Sequence, residues 1–160
     1  MACNYWWLNG PDEQVLDLPV GWSMFSIYML ADDMALDAVL SPILSNLIIA
    51  KDYLGSAYLP EFNFNGVGDL TVGWGYQIKT DQASSLTVAG TYMTPEENSV
   101  ELAAGWNMIG YLRMEAAPAD LVLAELNDAG NLVIAKNYLG SAFLPEFNFN
   151  GIGDLERGQG

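Results

Sequence analysis

The chain has 160 residues and carries 20 acidic against 5 basic side chains, a formal net charge of −15 at pH 7. Phosphate backbones and anionic lipid surfaces repel such a charge, which excludes nucleic acid and membrane surfaces as expected partners. The absence of histidine and the single Cys3 exclude histidine-dependent nucleophiles, histidine-ligated metals and an intrachain disulfide.

The first ten residues are rich in aromatic side chains and end in turn chemistry at Asn9-Gly10. Aligning the Gly-Trp pairs at residues 21–22 and 105–106 sets this segment opposite residues near 89–92. We therefore predict that residues 1–10 form a strand of a preceding or neighbouring unit. Its interface candidates are Tyr5, Trp6 and Trp7.

The segment lacks the basic and apolar regions of a signal peptide, and no run reaches the roughly 20 apolar residues of a membrane span.

The next stretch, residues 11–94, predicts a first repeat unit of strands with one helix. Residues 15–18, 21–28 and 47–50 have the composition of strands. Asp32 or Asp33 is the expected N-cap of a helix that Pro42 kinks or ends. The apolar stripe of that helix consists of Leu36, Val39, Leu40 and Ile43.

Residues 49–70 return as residues 134–155 with 3 differences in 22 positions, which predicts a tandem duplication. The second unit, residues 95–160, has matching strands predicted at residues 100–102, 105–112 and 132–135, and a helix from Pro118 to Leu126. It has no counterpart of residues 76–90, so we expect it to lack its closing strands. The predicted fold is α+β, a tandem repeat of two units of about 85 residues, each a mainly antiparallel sheet with one covering helix.

The aromatic residues divide by whether they recur in both units. Those that recur predict a repeat-core signature that packs inside or between units: Trp22, Trp106, Phe62, Phe64, Phe147 and Phe149. Trp74 has no aromatic counterpart and is flanked by glycines, so we expect it to be an exposed contact. That contact is either a subunit interface or a sugar-stacking platform.

Residues 60–66 alternate apolar and polar side chains, which predicts a strand with its oxygen-bearing side chains on one face. Glu61, Asn63 and Asn65, followed by a glycine, resemble the front half of a calcium-binding loop, and Glu146, Asn148 and Asn150 repeat them. The pattern begins with Glu rather than Asp and has no Glu at its twelfth position. The alternative interpretation, which we favour, is a polar strand face leading into an Asn-Gly turn.

Two further residue sets have a chemical and a structural interpretation. Lys51 and Lys136 lie in apolar contexts, which suits an internal isopeptide crosslink, or an ion pair or snorkelling side chain. Glu61 and Asp69 form a possible hydrolytic carboxylate pair. Because the pair recurs in the second unit, we interpret it as structural and predict no enzymatic activity.

A family resemblance rests on motifs spread over nearly the whole chain. Residues 105–111 (GWNMIGY), a helix, residues 134–145, residues 151–155 (GIGDL) and residues 73–79 (GWGYQIK) resemble the tandem "GWN" repeats of large secreted and cell-surface proteins of gliding and marine bacteria. The first copy has Gly-Trp-Ser at residues 21–23. The resemblance implies an extracellular or cell-surface location and a modular organisation.

The sequence therefore predicts a non-catalytic structural or interaction module of an extracellular bacterial assembly. Its expected partners are copies of itself or other repeat units, and the mismatched ends predict head-to-tail strand complementation into a filament. A fragment boundary that ignores the repeat explains the ends equally well. The alternative function is a carbohydrate- or calcium-binding module of a larger secreted protein. No cofactor is expected apart from that calcium.

Overall fold

The computed structural model describes residues 12–160, a mixed, sheet-rich fold with 36% strand and 17% helix. The interface candidates Tyr5, Trp6 and Trp7 lie outside the described residues. The strands are β1 Glu13–Leu18, β2 Gly21–Ser26, β3 Met29–Leu30, β4 Leu47–Lys51, β5 Ala57–Leu59, β6 Phe64–Asn65, β7 Gly75–Thr80, β8 Ser84–Ala89, β9 Thr91–Tyr92, β10 Ala117–Pro118, β11 Ala135–Lys136, β12 Ala142–Leu144, β13 Phe149–Asn150 and β14 Asp154–Leu155. The α-helices are α1 Leu36–Val39, α2 Ala119–Val122 and α3 Ala124–Asp128, and 3-10 helices span Ser41–Asn46, Pro60–Phe62 and Pro145–Phe147.

The largest sheet has five antiparallel strands in the order β2-β7-β4-β5-β6. Strand β7 lies between β2 and β4, and Ile78 pairs with Ser23 on one side and Ala50 on the other. Alternate side chains of β7, those of Tyr76, Ile78 and Thr80, are buried, as the two-residue period of a strand requires. This sheet forms the floor of the core in the first half of the chain.

A second layer closes that core. Strands β1 and β8 pair antiparallel over six residues each, and Leu16, Leu86 and Val88 are buried between the layers. The helical segment contributes its predicted apolar stripe, since Leu36, Val39, Leu40 and Ile43 are all buried. The smaller sheets are β3-β9, β10-β14 and β11-β12-β13. Residues 12–160 thus enclose one main hydrophobic core, built largely from residues of the first half of the chain.

The predicted first helix is shorter than its apolar stripe and begins later than expected. Its N-cap is Ala35, with no side-chain cap, so the prediction of Asp32 or Asp33 as N-cap is wrong. Asp33 instead accepts a hydrogen bond from the Ala35 N–H at 2.9 Å. Pro42 lacks an N–H, so the chain continues past α1 as a 3-10 helix. No helix among residues 12–160 is long and apolar enough to span a membrane.

The second half departs further from prediction. The strands predicted at residues 100–102 and 105–112 do not form, apart from a bridge between Ile109 and Trp74. The strand predicted at residues 132–135 is reduced to β11, and the helix divides into α2 and α3. The physical reason is that strands need paired edges: in the described second half, no strand pairs with these segments as β7 pairs with β2 and β4.

The two halves of the chain meet where their backbones approach closely at Ser26 and Gly110. The Gly110 N–H donates to the Gly73 carbonyl and the Ser26 N–H donates to the Gly158 carbonyl, both at 2.9 Å. A Cβ atom on Gly110 would lie 2.2 Å from the Ser26 Cβ and 2.4 Å from its Oγ. Glycine is therefore required at position 110 for the halves to come together as they do.

Further bonds join the same region. The Gly75 N–H donates to the Met108 carbonyl at 2.8 Å, and the Tyr92 hydroxyl donates to the Leu112 carbonyl at 2.9 Å. The Arg157 guanidinium lies 4.5 Å from the centre of the Tyr28 ring, within the range of a cation–π interaction. These contacts combine backbone hydrogen bonds, a phenol and a charged side chain, so the halves are fixed together rather than merely tethered.

We expect Gly110→Ala to destabilise the chain by roughly 1–3 kcal/mol, the usual cost of forcing an extra methyl into a packed contact. Chemical denaturation monitored by circular dichroism measures this cost. Ser26→Gly removes both clashing atoms, so the double variant should recover part of the loss. If Gly110→Ala were as stable as the parent chain, the close approach at Ser26 would be contradicted.

Candidate interaction surface

Each repeated block contains a turn that is closed by the side chain of the first residue of the turn. The Asp52 carboxylate accepts hydrogen bonds from the Leu54 and Ser56 N–H groups at 2.9 and 2.8 Å. In the second block the amide oxygen of Asn137 accepts the corresponding two bonds at 3.1 and 2.9 Å. Both residue types form such turns with their own backbone, which explains why the Asp-to-Asn difference leaves the turn intact.

The next segment is a 3-10 helix followed by a left-handed residue. Pro60 occupies the first turn of the Pro60–Phe62 helix, and Asn63 takes φ = 47° at its C-terminal end. Pro145–Phe147 and Asn148, with φ = 48°, repeat this conformation. The predicted continuous strand over residues 60–66 is therefore wrong. Proline favours a first helical turn, and asparagine tolerates the left-handed region better than most residues.

Asn65 then fixes the return of the chain. Its Nδ2 donates to Asp37 Oδ1 at 2.8 Å and to the Gly68 carbonyl at 3.2 Å, while its Oδ1 accepts from the Gly68 N–H at 2.9 Å. Asn150 makes the same three bonds, to Asp120 and to both backbone groups of Gly153, at 2.7 to 3.0 Å. Both the nitrogen and the oxygen of the Asn65 amide thus form hydrogen bonds. The bond to Asp37 joins the hairpin β5-β6 to α1.

This geometry changes the interpretation of the calcium pattern. Because Asn63 is left-handed and Glu61 lies in a 3-10 helix, Glu61, Asn63 and Asn65 do not occupy alternate positions of one strand. The same holds for Glu146, Asn148 and Asn150. The oxygens of both Asn65 and Asn150 already accept backbone hydrogen bonds. In the described residues, no group of three or more acidic, cysteine or histidine side chains is placed to hold a metal ion.

The four phenylalanines of the blocks are exposed, which corrects their prediction as core residues. Phe62 and Phe147 are 70% and 69% exposed, and Phe64 and Phe149 are 54% and 55% exposed. The 3-10 turn directs these rings outward. The ring beneath each hairpin is instead that of Tyr58 in the first block and Phe143 in the second, both buried.

Trp22 and Trp106, also predicted as core residues, are exposed as well. In β2 the strand alternation turns Ser23 and Phe25 inward, which leaves Trp22 on the outer face. There Lys51 and Lys79 place their ammonium groups 5.5 and 5.7 Å from the Trp22 ring centre. Lys51 thus takes part in a cation–π arrangement.

Trp74 was predicted to be an exposed contact, and this prediction is wrong. Its side chain is partly buried and packs against the main core. The ring meets Tyr53 edge to face, with centroids 5.1 Å apart, and the Trp74 backbone bridges to Ile109. Trp74 therefore lies at the junction between the two halves of the chain.

The tyrosines near this surface are held in their neutral form. Burial raises the pKa of the Tyr58 phenol above its ordinary value, and the Asp37 carboxylate adds to the rise. Burial also raises the pKa of Tyr76, although the Thr71 N–H that donates to its oxygen at 2.8 Å lowers it. Ionising either phenol places a negative charge in a buried environment, so ionisation lowers the stability of the folded chain.

The resulting surface is an exposed aromatic pair held on a rigid frame, present twice. Phe62 and Phe64 flank Asn63, and Glu61 is exposed beside them. The sequence analysis missed this exposure because it assigned a two-residue period to the whole segment. Pro60 and Asn63 were the available signals, since the first favours a helical turn and the second a left-handed residue. No protein-family model, curated protein or solved structure matches the chain.

We expect Asn63→Val to destabilise the chain by roughly 1–2 kcal/mol, because a β-branched residue is strained at φ = 47°. Asn63→Gly is the matched control and should be close to neutral, since glycine adopts this region readily. Denaturation midpoints of the two variants measure the difference. Equal stability of the valine and glycine variants would contradict the left-handed conformation.

We expect the folded chain to lose stability at alkaline pH. Because the pKa values of Tyr58 and Tyr76 are raised on folding, their contribution is complete below the unfolded value of about 10 and is lost as the pH rises through the folded values. Denaturant titrations between about pH 8 and pH 12, with tyrosinate absorbance recorded in parallel, measure this loss. Tyr58→Phe should reduce the decline, and a stability independent of pH over this window would contradict the prediction.

Proposed function

We propose that the chain is a non-catalytic structural or interaction module of an extracellular or cell-surface bacterial assembly. It consists of two repeat units in tandem, residues 11–94 and 95–160. The recurrence of the Asp52/Asn137 turns, the left-handed Asn63 and Asn148, and the Asn65/Asn150 clamps supports this organisation. The module acts by presenting a surface, since its repeated block is built around turns and exposed rings.

The observation that carries the proposal is an exposed aromatic pair that is present in both copies of the repeated block. The residues before each block, 11–48 and 95–133, share little sequence, and the matching helix positions are offset by 83 rather than 85 residues. The turn-forming and buried residues of the block have evident structural reasons to be the same. Phe62 and Phe64 are mostly exposed, and burial does not account for their repetition. A partner that contacts both rings accounts for their repetition.

The partners that we propose are copies of the chain or other repeat units, joined head to tail by strand complementation into a filament. The net charge of −15 opposes the approach of two copies. This repulsion weakens with salt, because the Debye length falls from about 10 Å at 0.1 M to about 3 Å at 1 M. Assembly should therefore be promoted by increasing ionic strength, as is typical of apolar contacts between acidic proteins.

A carbohydrate-binding module is the second proposed function. Two exposed rings on either side of Asn63, with the Glu61 carboxylate adjacent, supply stacking faces and hydrogen-bonding groups. Within this alternative the glycan has more support than calcium, because Asn65 already uses its amide oxygen within the hairpin. The acidic surface favours a neutral or basic glycan over an anionic one.

We expect the double variant Phe62→Ser/Phe64→Ser to lose association while it keeps its fold. Substitutions at exposed sites usually change stability by only about 0.5 kcal/mol, so a large loss of assembly points to the surface itself. Sedimentation velocity and electron microscopy at about 0.15 M and 1 M salt measure assembly. A glycan-binding assay on the same samples distinguishes the second function.

Two controls make the experiment specific. Val20→Ser/Leu44→Ser removes two apolar side chains of comparable exposure outside the block, 64% and 44% exposed, and should assemble like the parent chain. Phe147→Ser/Phe149→Ser tests the second block and should lower association in the same direction. If both phenylalanine variants assemble like the parent chain and no glycan binding is lost, the proposed role of the exposed pairs is wrong.

A further inference from the structure

The outer face of the five-stranded sheet carries a row of side chains that crosses all five strands. Residues that stand directly opposite each other in an antiparallel sheet point to the same face. Trp22 pairs with Lys79, and Lys79 pairs with Ile49. The register of β4 with β5 places Ile49 opposite Leu59, which in turn pairs with Phe64. In the order of the strands, the row consists of Trp22, Lys79, Ile49, Leu59 and Phe64.

This row is accessible to a partner. The rings at its two ends, Trp22 and Phe64, are 47% and 54% exposed, and the side chains of Lys79, Ile49 and Leu59 between them are partly exposed. The alternate side chains of the same strands point to the core on the other face. Four strand spacings of about 4.8 Å separate the two rings by roughly 19 Å. The sheet therefore presents a largely apolar stripe with an aromatic ring at each end.

Two lysines meet at the Trp22 end of the row. Lys51 and Lys79 hold their ammonium groups 5.5 and 5.7 Å from the centre of the Trp22 ring. The chain has 20 acidic side chains, yet neither ammonium group forms an ion pair with a carboxylate of residues 12–160. Two like charges beside one ring repel each other, so a carboxylate from outside would lower their energy. This end of the row is complementary to a negatively charged partner.

The Phe64 end of the row offers the complementary charge. Glu61 is exposed and lies in the 3-10 helix between β5 and β6, two residues after Leu59. It forms no ion pair within the part of the chain that the structure describes. One end of the row thus joins a ring to ammonium groups, and the other joins a ring to a carboxylate. Such a surface is self-complementary, because a half-turn brings each end of one copy onto the opposite end of another.

We propose that this outer face is a dimer interface between two copies of the chain, related by a two-fold axis that runs along the strands above β4, the central strand. The axis sets Trp22 of each copy against Phe64 of the other. It also sets the ammonium groups of Lys51 and Lys79 against the Glu61 carboxylate of the other copy. The two sheets pack with nearly aligned strands, as in a β-sandwich. This contact closes on two copies and goes beyond the head-to-tail joining proposed above.

The charges of the face favour a second copy over an acidic glycan. A glycan that carries carboxylates along its length would meet Glu61 as a like charge, whereas a second copy matches both ends of the row. The net charge of −15 opposes dimerisation, but partly buried Lys–Glu pairs are screened by salt less than exposed charges are. A face of roughly 20 Å in each direction gives an interface below about 1,200 Å² in total, which is typical of transient association. The dimer should therefore dissociate on dilution.

Sedimentation equilibrium of the intact chain tests the interface, at about 0.15 M salt and protein concentrations from about 10 μM to about 1 mM. We expect a reversible equilibrium between monomer and dimer. Trp22→Ser should weaken dimerisation by at least about 30-fold, because a tryptophan in an interface often dominates its affinity. Leu44→Ser is the matched control. Leu44 is 44% exposed and lies in the 3-10 helix Ser41–Asn46, outside the row, so this variant should dimerise like the parent chain.

Charge reversal tests the pairing of the two ends. Lys51→Glu/Lys79→Glu sets carboxylates against Glu61, and Glu61→Lys sets ammonium groups against each other, so each variant alone should dimerise at least about 100-fold more weakly. An equimolar mixture of the two should form a heterodimer, because each reversed end then meets its complement. Recovery in the mixture also establishes that both variants fold. Glu125→Lys makes the same charge change at an exposed position of α3, and it should neither lose dimerisation nor restore the lysine variant.

Two results would overturn the interface. A parent chain that stays monomeric up to about 1 mM refutes it, whether or not an acidic glycan binds this face. A dimer that persists in both charge-reversed variants, or a mixture that forms no heterodimer, places the contact elsewhere and also refutes it.

The second block separates this outcome from that of the proposed function. Phe147 and Phe149 lie outside the row, so Phe147→Ser/Phe149→Ser should leave the dimer intact whatever it does to filaments or to glycan binding. Loss of the dimer in this variant would refute the interface between the sheet faces. Loss of filaments or glycan binding without loss of the dimer supports both proposals.

Discussion

Most of the ordered structure depends on β7 pairing along both of its edges. The backbone of β7 pairs with that of β2 on one edge and that of β4 on the other. The side chains of Tyr76 and Ile78 are buried in the core. Buried backbone groups require such partners, so strands that are well formed in the first half are absent or short in residues 95–160, where no described strand pairs with them as β7 pairs with β2 and β4. The contrast between β2 and residues 105–110, which both carry a Gly-Trp pair, shows that local sequence is secondary to this pairing.

The parts of the fold that sequence predicted well are those set by burial. The stripe of Leu36, Val39, Leu40 and Ile43 faces the core, and β1, β2 and β4 lie near their predicted positions, because apolar periodicity reflects a buried face directly. Residues 105–112 have a comparable pattern and still do not form a strand. The pattern of these residues favours a strand, but a strand forms only where a partner strand pairs with it. The presence of that partner cannot be read from the local sequence.

The candidate surface was harder to predict, and the reason is local geometry. Alternating residues in Pro60 to Gly66 suggested a strand with phenylalanines inward, but a proline-led turn and a left-handed Asn63 rotate the rings outward. Repetition in both halves was visible in the sequence, and it was interpreted as a sign of core packing. Repeated aromatic residues are explained either by core packing or by an exposed contact, and their solvent exposure distinguishes the two. That exposure depends on the backbone conformation of one or two residues.

The contact between Ser26 and Gly110 bears on how the two halves of the chain pair. The two residues occupy matching positions, 84 residues apart, and face each other with no space for a second side chain. Two copies of the first half brought together in this way would set serine against serine and clash. Two copies of the second half would set glycine against glycine and leave the space of the one serine side chain empty. The contact therefore discriminates between like and unlike halves, so that each first half selects a second half as its neighbour.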